Sequence, residues 1–135
     1  MLVVDASVLA TALADDGKDG DTVRQRLHSE GLAAPELIDL EVTSVLRRQL
    51  SAGRLDARRA RLALDDLLEL PIQRVPHRVL LRRCWELRDN LTIYDAAYVA
   101  LAEGLAAPLV TADVRLSKAP GVRCAVEVLS ARSNR

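Results

Sequence analysis

Four acidic residues stand where an acid is hard to accommodate, and together they define the chemistry open to this chain. Asp5 follows the apolar run Leu2-Val3-Val4 directly. Asp113 follows Leu109-Val110-Thr111 after one residue. Short unbroken apolar runs suit strands buried on both faces of a parallel sheet. A carboxylate just past such a strand lies at the edge where open α/β sheets place their ligands. Asp95 is the only charge between Ile93 and Ala102. Glu41 has Leu37 four residues before it and Val45 four after, so on a helix it points inward with them. Asp39 falls on a different face.

Each acid alone also has a simpler reading. Asp5 and Asp113 suit helix N-caps, and Asp95 suits a capping box with Thr92. The set reads differently. Two like charges about 4 Å apart cost about 4 kcal/mol at an effective dielectric near 20, against about 5–15 kcal/mol of net stability for a whole domain. Gathered acids therefore take up protons or share a cation. The two histidines, His28 and His77, lie outside the acidic segments, and Cys84 and Cys124 lack metal-ligand spacing. Oxygen donors alone select a hard ion, Mg²⁺ or Mn²⁺, over zinc. Such an ion activates water and orients a phosphodiester. Ser7 and Thr111, two residues from Asp5 and Asp113, are placed to bond a carboxylate, a metal-bound water or a phosphate, with helix capping the alternative for Ser7.

The elements that must position these residues follow from the apolar pattern. Strands are expected at 2–4, 32–35, 71–75, 108–111 and 122–126. Helices are expected at 6–14, 22–29, 36–50, from an Asp56 cap to 69, at 78–88, 92–106 and 114–118. Strands alternating with helices predict an α/β fold, an open and mainly parallel sheet with helices on both faces. The 135 residues carry 19 basic and 19 acidic side chains, so no net field attracts polyanions and any nucleic-acid contact must be local. That length makes one ordinary domain, 1–135, with a frayed tail at 131–135. The cysteines read as reduced thiols of a cytoplasmic protein. No signal peptide is expected before the first strand, and no apolar run is long enough to span a bilayer. One tryptophan, two tyrosines and no phenylalanine leave too little for an aromatic platform along single-stranded nucleic acid.

The segments Val4-Asp5-Ala6-Ser7, Glu36-Leu37 with Glu41-Val42, Tyr94-Asp95-Ala96-Ala97-Tyr98 and Leu109-Val110-Thr111-Ala112-Asp113 resemble, in order, those of PIN-domain toxins of the VapC family. The Tyr-Asp-Ala-Ala-Tyr helix followed by Thr-Ala-Asp is the specific part. Ser44 stands where many members carry asparagine. The resemblance implies a PIN-like fold and Mg²⁺- or Mn²⁺-dependent endoribonuclease activity, with Asp5, Glu41, Asp95 and Asp113 holding the metal. It also implies a homodimer and a cognate VapB-type antitoxin that blocks the acidic site. Leu62, Leu64, Leu67, Leu68 and Leu70 crowd one helix and its exit, enough for an antitoxin groove or for ordinary core packing. Arginines at 47–48, 54–61 and 82–83 form either an RNA-holding rim or solvated helix faces. Two other classes remain open. An aspartyl-phosphate enzyme commonly has a second acid two residues after the first, where this chain has Ser7. A non-catalytic binding module would use the acids only as caps and ion-pair partners.

Overall fold

The computed structural model describes residues 1–129, so the tail at 131–135 lies outside the described residues. Five strands, β1 (Leu2–Val4), β2 (Leu32–Pro35), β3 (Gln73–Val75), β4 (Leu109–Thr111) and β5 (Val126–Val128), form one sheet in the order β3-β2-β1-β4-β5. Every pairing is parallel, with Val3 opposite Ala33 on one side and Leu109 on the other. The expected mainly parallel sheet is thus wholly parallel among the described residues.

The chain winds outward from β1 to β2 and β3, then returns to the other side of β1 with β4. The strand order therefore reverses between β1 and β4, which opens a crevice beyond their carboxyl ends. All three residues of β1 and of β4 are buried. Short strands without an exposed face need cover on both sides, and helices supply it. On one flank α1 (Ala6–Ala14) packs on α2 (Lys18–Leu27), α3 (Ile38–Ser51) and α4 (Ala57–Glu69). On the sheet itself lies α6 (Ile93–Leu105), against β1, β2 and β4, with α5 (Leu81–Glu86) beside it. Residues 96–102 of α6 are all buried, as its nearly all-round apolar sequence requires. The short α7 (Val114–Lys118) follows β4.

Three expected elements moved. The helix expected over 78–88 is a 3-10 turn at His77–Leu80 followed by α5. The last strand is Val126–Val128 rather than 122–126. The Arg123 backbone N–H is engaged by the Glu103 carboxylate at 2.7 Å, and only from Val126 does the chain pair with β4. Helix α2 begins at Lys18, four residues earlier than expected. Gly20 permits that start, because a Cβ there would come within 1.8 Å of the Asp15 carbonyl oxygen.

Several arginines hold elements together. Arg26 reaches from α2 to Glu127 of β5, with its Nε 2.6 Å from Oε2. Arg59 of α4 grips the Leu13 carbonyl in the last turn of α1 and Asp16 just beyond it. Arg74 pairs with Asp39 at 2.8 Å, which accounts for the off-face acid of α3. Arg83 binds Glu103 at 2.7 Å and the Gly121 carbonyl at 2.6 Å. Arg59 and Arg83 therefore leave the set of arginines available for an RNA-holding rim.

Candidate active site

The crevice at the strand reversal is a cleft of about 500 Å³, and Asp5, Glu41, Asp95 and Asp113 all line it. Four stretches of sequence reach it by separate routes. Asp5 ends β1 and caps α1. Glu41 comes from the first turn of α3 and Asp95 from the first turn of α6. Asp113 leaves β4 and caps α7.

Asp5 is the most enclosed of the four. Its Oδ1 accepts from the Val8 backbone N–H at 3.1 Å and from the Ser7 hydroxyl at 2.9 Å. Its Oδ2 accepts a short bond from the Thr111 hydroxyl. Thr111 is the one fully buried polar residue among the described residues, and its Oγ1 also accepts from the Asp113 N–H at 3.0 Å. One hydroxyl thus joins the ends of β1 and β4. Burial still holds the Asp5 carboxyl above the ordinary carboxylate range, against these three hydrogen bonds.

Glu41 Oε1 accepts from the Tyr98 hydroxyl at 2.6 Å. Burial raises the Glu41 carboxyl, and the charges of Asp95 and Asp5 push the same way. Burial likewise raises Asp95, with Asp113 adding to it. Thr92 does cap this helix, its Oγ1 accepting from the Asp95 backbone N–H at 3.1 Å. Cap and cleft are compatible here, because the backbone serves one and the side chain lines the other. Asp113 differs from the other three. Arg115 lies against it, with Nη2 2.5 Å from Oδ2, and this guanidinium holds the Asp113 carboxyl below its ordinary range. Among the described residues, Asp113 alone of the four cleft acids is paired with an arginine.

Three further polar residues line the cleft: Tyr98, which sequence reasoning leaves without a role, and Ser44 and Arg48, the first noted only as a departure from the family pattern and the second only as one of the arginines of a possible rim. Tyr98 was visible as part of the Tyr-Asp-Ala-Ala-Tyr segment, and its spacing of three from Asp95 puts both on one face of α6. Ser44 and Arg48 line the cleft from α3, and Arg48 Nη1 donates to Ser44 Oγ at 3.0 Å. Their spacing of three and seven from Glu41 was the available signal. His77 is accounted for elsewhere, since its Nε2 accepts from the Leu37 N–H at 2.8 Å.

The donor set suits a hard cation in kind. It is all oxygen, three of its acids are held above their ordinary range, and their charges act on one another. Its arrangement is open. Among the described residues, no three acid, histidine or cysteine side chains converge as a set that could hold a metal ion. The four acids share one cleft without closing on one point.

Fold and cleft define a class. The PIN domain family matches residues 2–122. "VapC ribonuclease Mb0985" of Mycobacterium bovis is 45% identical over 129 residues, which cover 96% of this chain and 98% of that protein. A solved structure from Pyrobaculum aerophilum, PAE2754, aligns over 94% of this chain and 83% of its own, with 28% identity and a TM-score of 0.66. VapBC2 from Rickettsia felis, solved bound to a DNA fragment from its promoter, matches the fold at 13% identity, covering 96% of this chain and 98% of its own with a TM-score of 0.68. The chain belongs to the PIN-domain family and, within it, to the VapC ribonucleases.

Proposed function

We propose that this chain is an endoribonuclease, the toxin of a type II toxin–antitoxin pair, that hydrolyses RNA phosphodiester bonds with Mg²⁺ or Mn²⁺ held by carboxylates. The observation that carries this reading is the lining of one cleft by Asp5, Glu41, Asp95 and Asp113 at the sheet's strand reversal, in a chain of the VapC family. A divalent ion bound there would supply positive charge to the phosphate and make water more acidic. Asp5, Glu41 and Asp95 are the residues that would hold it, since no arginine neutralises them.

The chain's own groups do the positioning. Thr111 and Ser7 fix the two Asp5 oxygens, and Tyr98 fixes Glu41. Groups that orient ligand carboxylates typically matter 10–100-fold. Asp113 arrives neutralised, so it adds less repulsion to the cleft than an unpaired acid would. Arg48 at the cleft lining offers a cation to the RNA backbone.

Two surface features support the proposed partners. The cognate antitoxin, of VapB type, fits a second and more apolar groove of about 710 Å³ between α1, α2 and the end of α4, lined by Leu9, Leu13, Leu27 and Leu70. Of the leucines expected on α4, Leu67 is core, Leu70 lines that groove, and Leu62 and Leu68 are exposed. A homodimer would cover exposed apolar residues such as Leu40, Val79 and Leu81. No helix among the described residues is long and apolar enough to cross a membrane. A cytoplasmic location follows from the proposed RNA substrate and antitoxin partner.

The binding-module reading draws on Asp5 and Asp113, which do cap helices, and on the Arg115 pair. A cleavage assay separates the two. Structured and single-stranded RNA are incubated with wild type and Asp95→Asn, with and without Mg²⁺. Cleavage by wild type only, and only with metal, supports the nuclease. Binding without cleavage under every condition supports the module.

A further inference from the structure

The acid cleft continues past its own wall. Asp95 and Asp113 also line a second cleft of about 520 Å³, whose other lining includes Arg88, Asn90 and Arg115, with Asp89 as its one further acid. That volume lies within the range of small-molecule sites and is ample for one nucleotide. A phosphodiester strand is repelled by a carboxylate cleft, so a strand entering it needs cations close by. The second cleft has two.

Both arginines are placed for a ligand. Arg88 makes no ion pair among the described residues, unlike Arg26, Arg59, Arg74 and Arg83. Instead its guanidinium lies over the Trp85 ring, 4.5 Å from the centroid, and Nη1 donates to the Trp85 carbonyl at 2.9 Å. These contacts fix the guanidinium while leaving most of its donors unused. Trp85 is the only tryptophan of the chain, and it is 64 % exposed. Arg115 binds Asp113 through Nε and Nη2, and its Nη1 makes no hydrogen bond among the described residues. Its side chain is 81 % exposed.

RNA bases splayed from a strand stack on aromatic rings and on arginine planes. We propose that the second cleft seats the nucleotide flanking the cleaved bond, with its base stacked on the Arg88–Trp85 pair and its phosphate held by Arg115. The chain has too few aromatic residues to stack a run of bases, and one such pair serves one base. Recognition of this kind tolerates any base and favours a single strand. The proposal rests on the ribonuclease reading and names where its substrate lies.

The test uses the full chain and the emission of Trp85. A single-stranded RNA octamer of mixed sequence is titrated in EDTA at low salt, so that nothing is cut. Binding is followed independently by the anisotropy of a labelled octamer. The expected result is quenching of Trp85 along the same curve as the anisotropy. Arg88→Ala should weaken binding about 10-fold, the effect of losing one stacked base. Trp85→Phe should bind within about threefold of wild type, because a phenyl ring still stacks.

Binding by anisotropy with unchanged Trp85 emission, and equal affinity for Arg88→Ala, would overturn the proposal. So would emission that changes with protein concentration and ignores RNA, which would mean that a second copy covers Trp85. Metal-dependent cleavage of the same octamer is measured alongside. Cleavage with an indifferent Trp85 sinks the subsite alone, whereas neither binding nor cleavage sinks the nuclease reading with it.

Discussion

Replacing Thr111 by valine tests the join between β1 and β4. The side chain is 0 % exposed, and valine has nearly its shape. What is lost is one hydroxyl with two roles. It donates to the Asp5 carboxylate, and it accepts from the Asp113 N–H at 3.0 Å. A hydrogen bond to a charged group contributes about 1.5–3 kcal/mol, and a backbone N–H left without a partner costs about 1–3 kcal/mol. The added methyl returns about 1 kcal/mol of apolar burial. The expected net loss is about 2–4 kcal/mol, a fall of roughly 10 °C in the melting temperature of a domain this size.

The pH dependence is the sharper part. The Thr111 bond lowers the Asp5 pKa while burial raises it. Without the bond, the folded-state pKa of Asp5 climbs further above its unfolded value. A group whose pKa is raised by folding loses stability as pH rises through that folded pKa. The gap between wild type and Thr111→Val should therefore widen from pH 4 to pH 7. Urea melts at half-unit steps of pH measure it. A gap that is absent, or constant with pH, would show that Thr111 does not support an ionised Asp5.

Other outcomes follow from the same contacts. Tyr98→Phe should lower RNA cleavage about 10-fold or more with only about 1 kcal/mol lost in urea melts, since Glu41 keeps its place but loses its anchor. The metal-free protein should gain melting temperature as pH falls from about 7 to about 5, because Asp5, Glu41 and Asp95 all have pKa values raised by folding. Below about pH 4 it should lose stability, as Asp113, Glu103 and Glu127, whose values folding lowers, take up protons. A melting profile that is flat from pH 5 to pH 7 would contradict the crowding of charge. Arg83→Ala removes the least exposed ion pair, 19 % and 14 % exposed, and should cost about 2 kcal/mol in denaturant melts. RNA cleavage by the protein that remains folded should be unchanged.

Much of this site could be read from residue types and spacing. The runs Leu2–Val4 and Leu109–Thr111 announce buried parallel strands, and the lone acid of the apolar helix, Asp95, lines the cleft. The side of α3 that carries Glu41 was legible for the same reason, with Asp39 correctly set apart. Long-range pairing was not legible. Nothing near Asp113 indicates that Arg115 would turn back onto it, because an i,i+2 pair depends on the bend after β4. The last strand misled because Val122 to Val126 is as apolar as a strand, while the Glu103 carboxylate engages the Arg123 N–H. Arg59 and Arg83 looked like surface charge until the fold brought Asp16 and Glu103 to them. Local pattern specifies which face is buried; which distant partner meets it is a property of the assembled sheet.

The proposed nuclease chemistry requires divalent-ion binding by the cleft acids. Calorimetric titration of Mn²⁺ into wild type and into Asp95→Asn, each checked by a melting curve with and without the ion, measures it directly. Saturable binding that raises the melting temperature of wild type, and is lost or at least 10-fold weaker in Asp95→Asn, is the predicted result. Absence of binding in wild type, or equal binding by the two proteins, would contradict it.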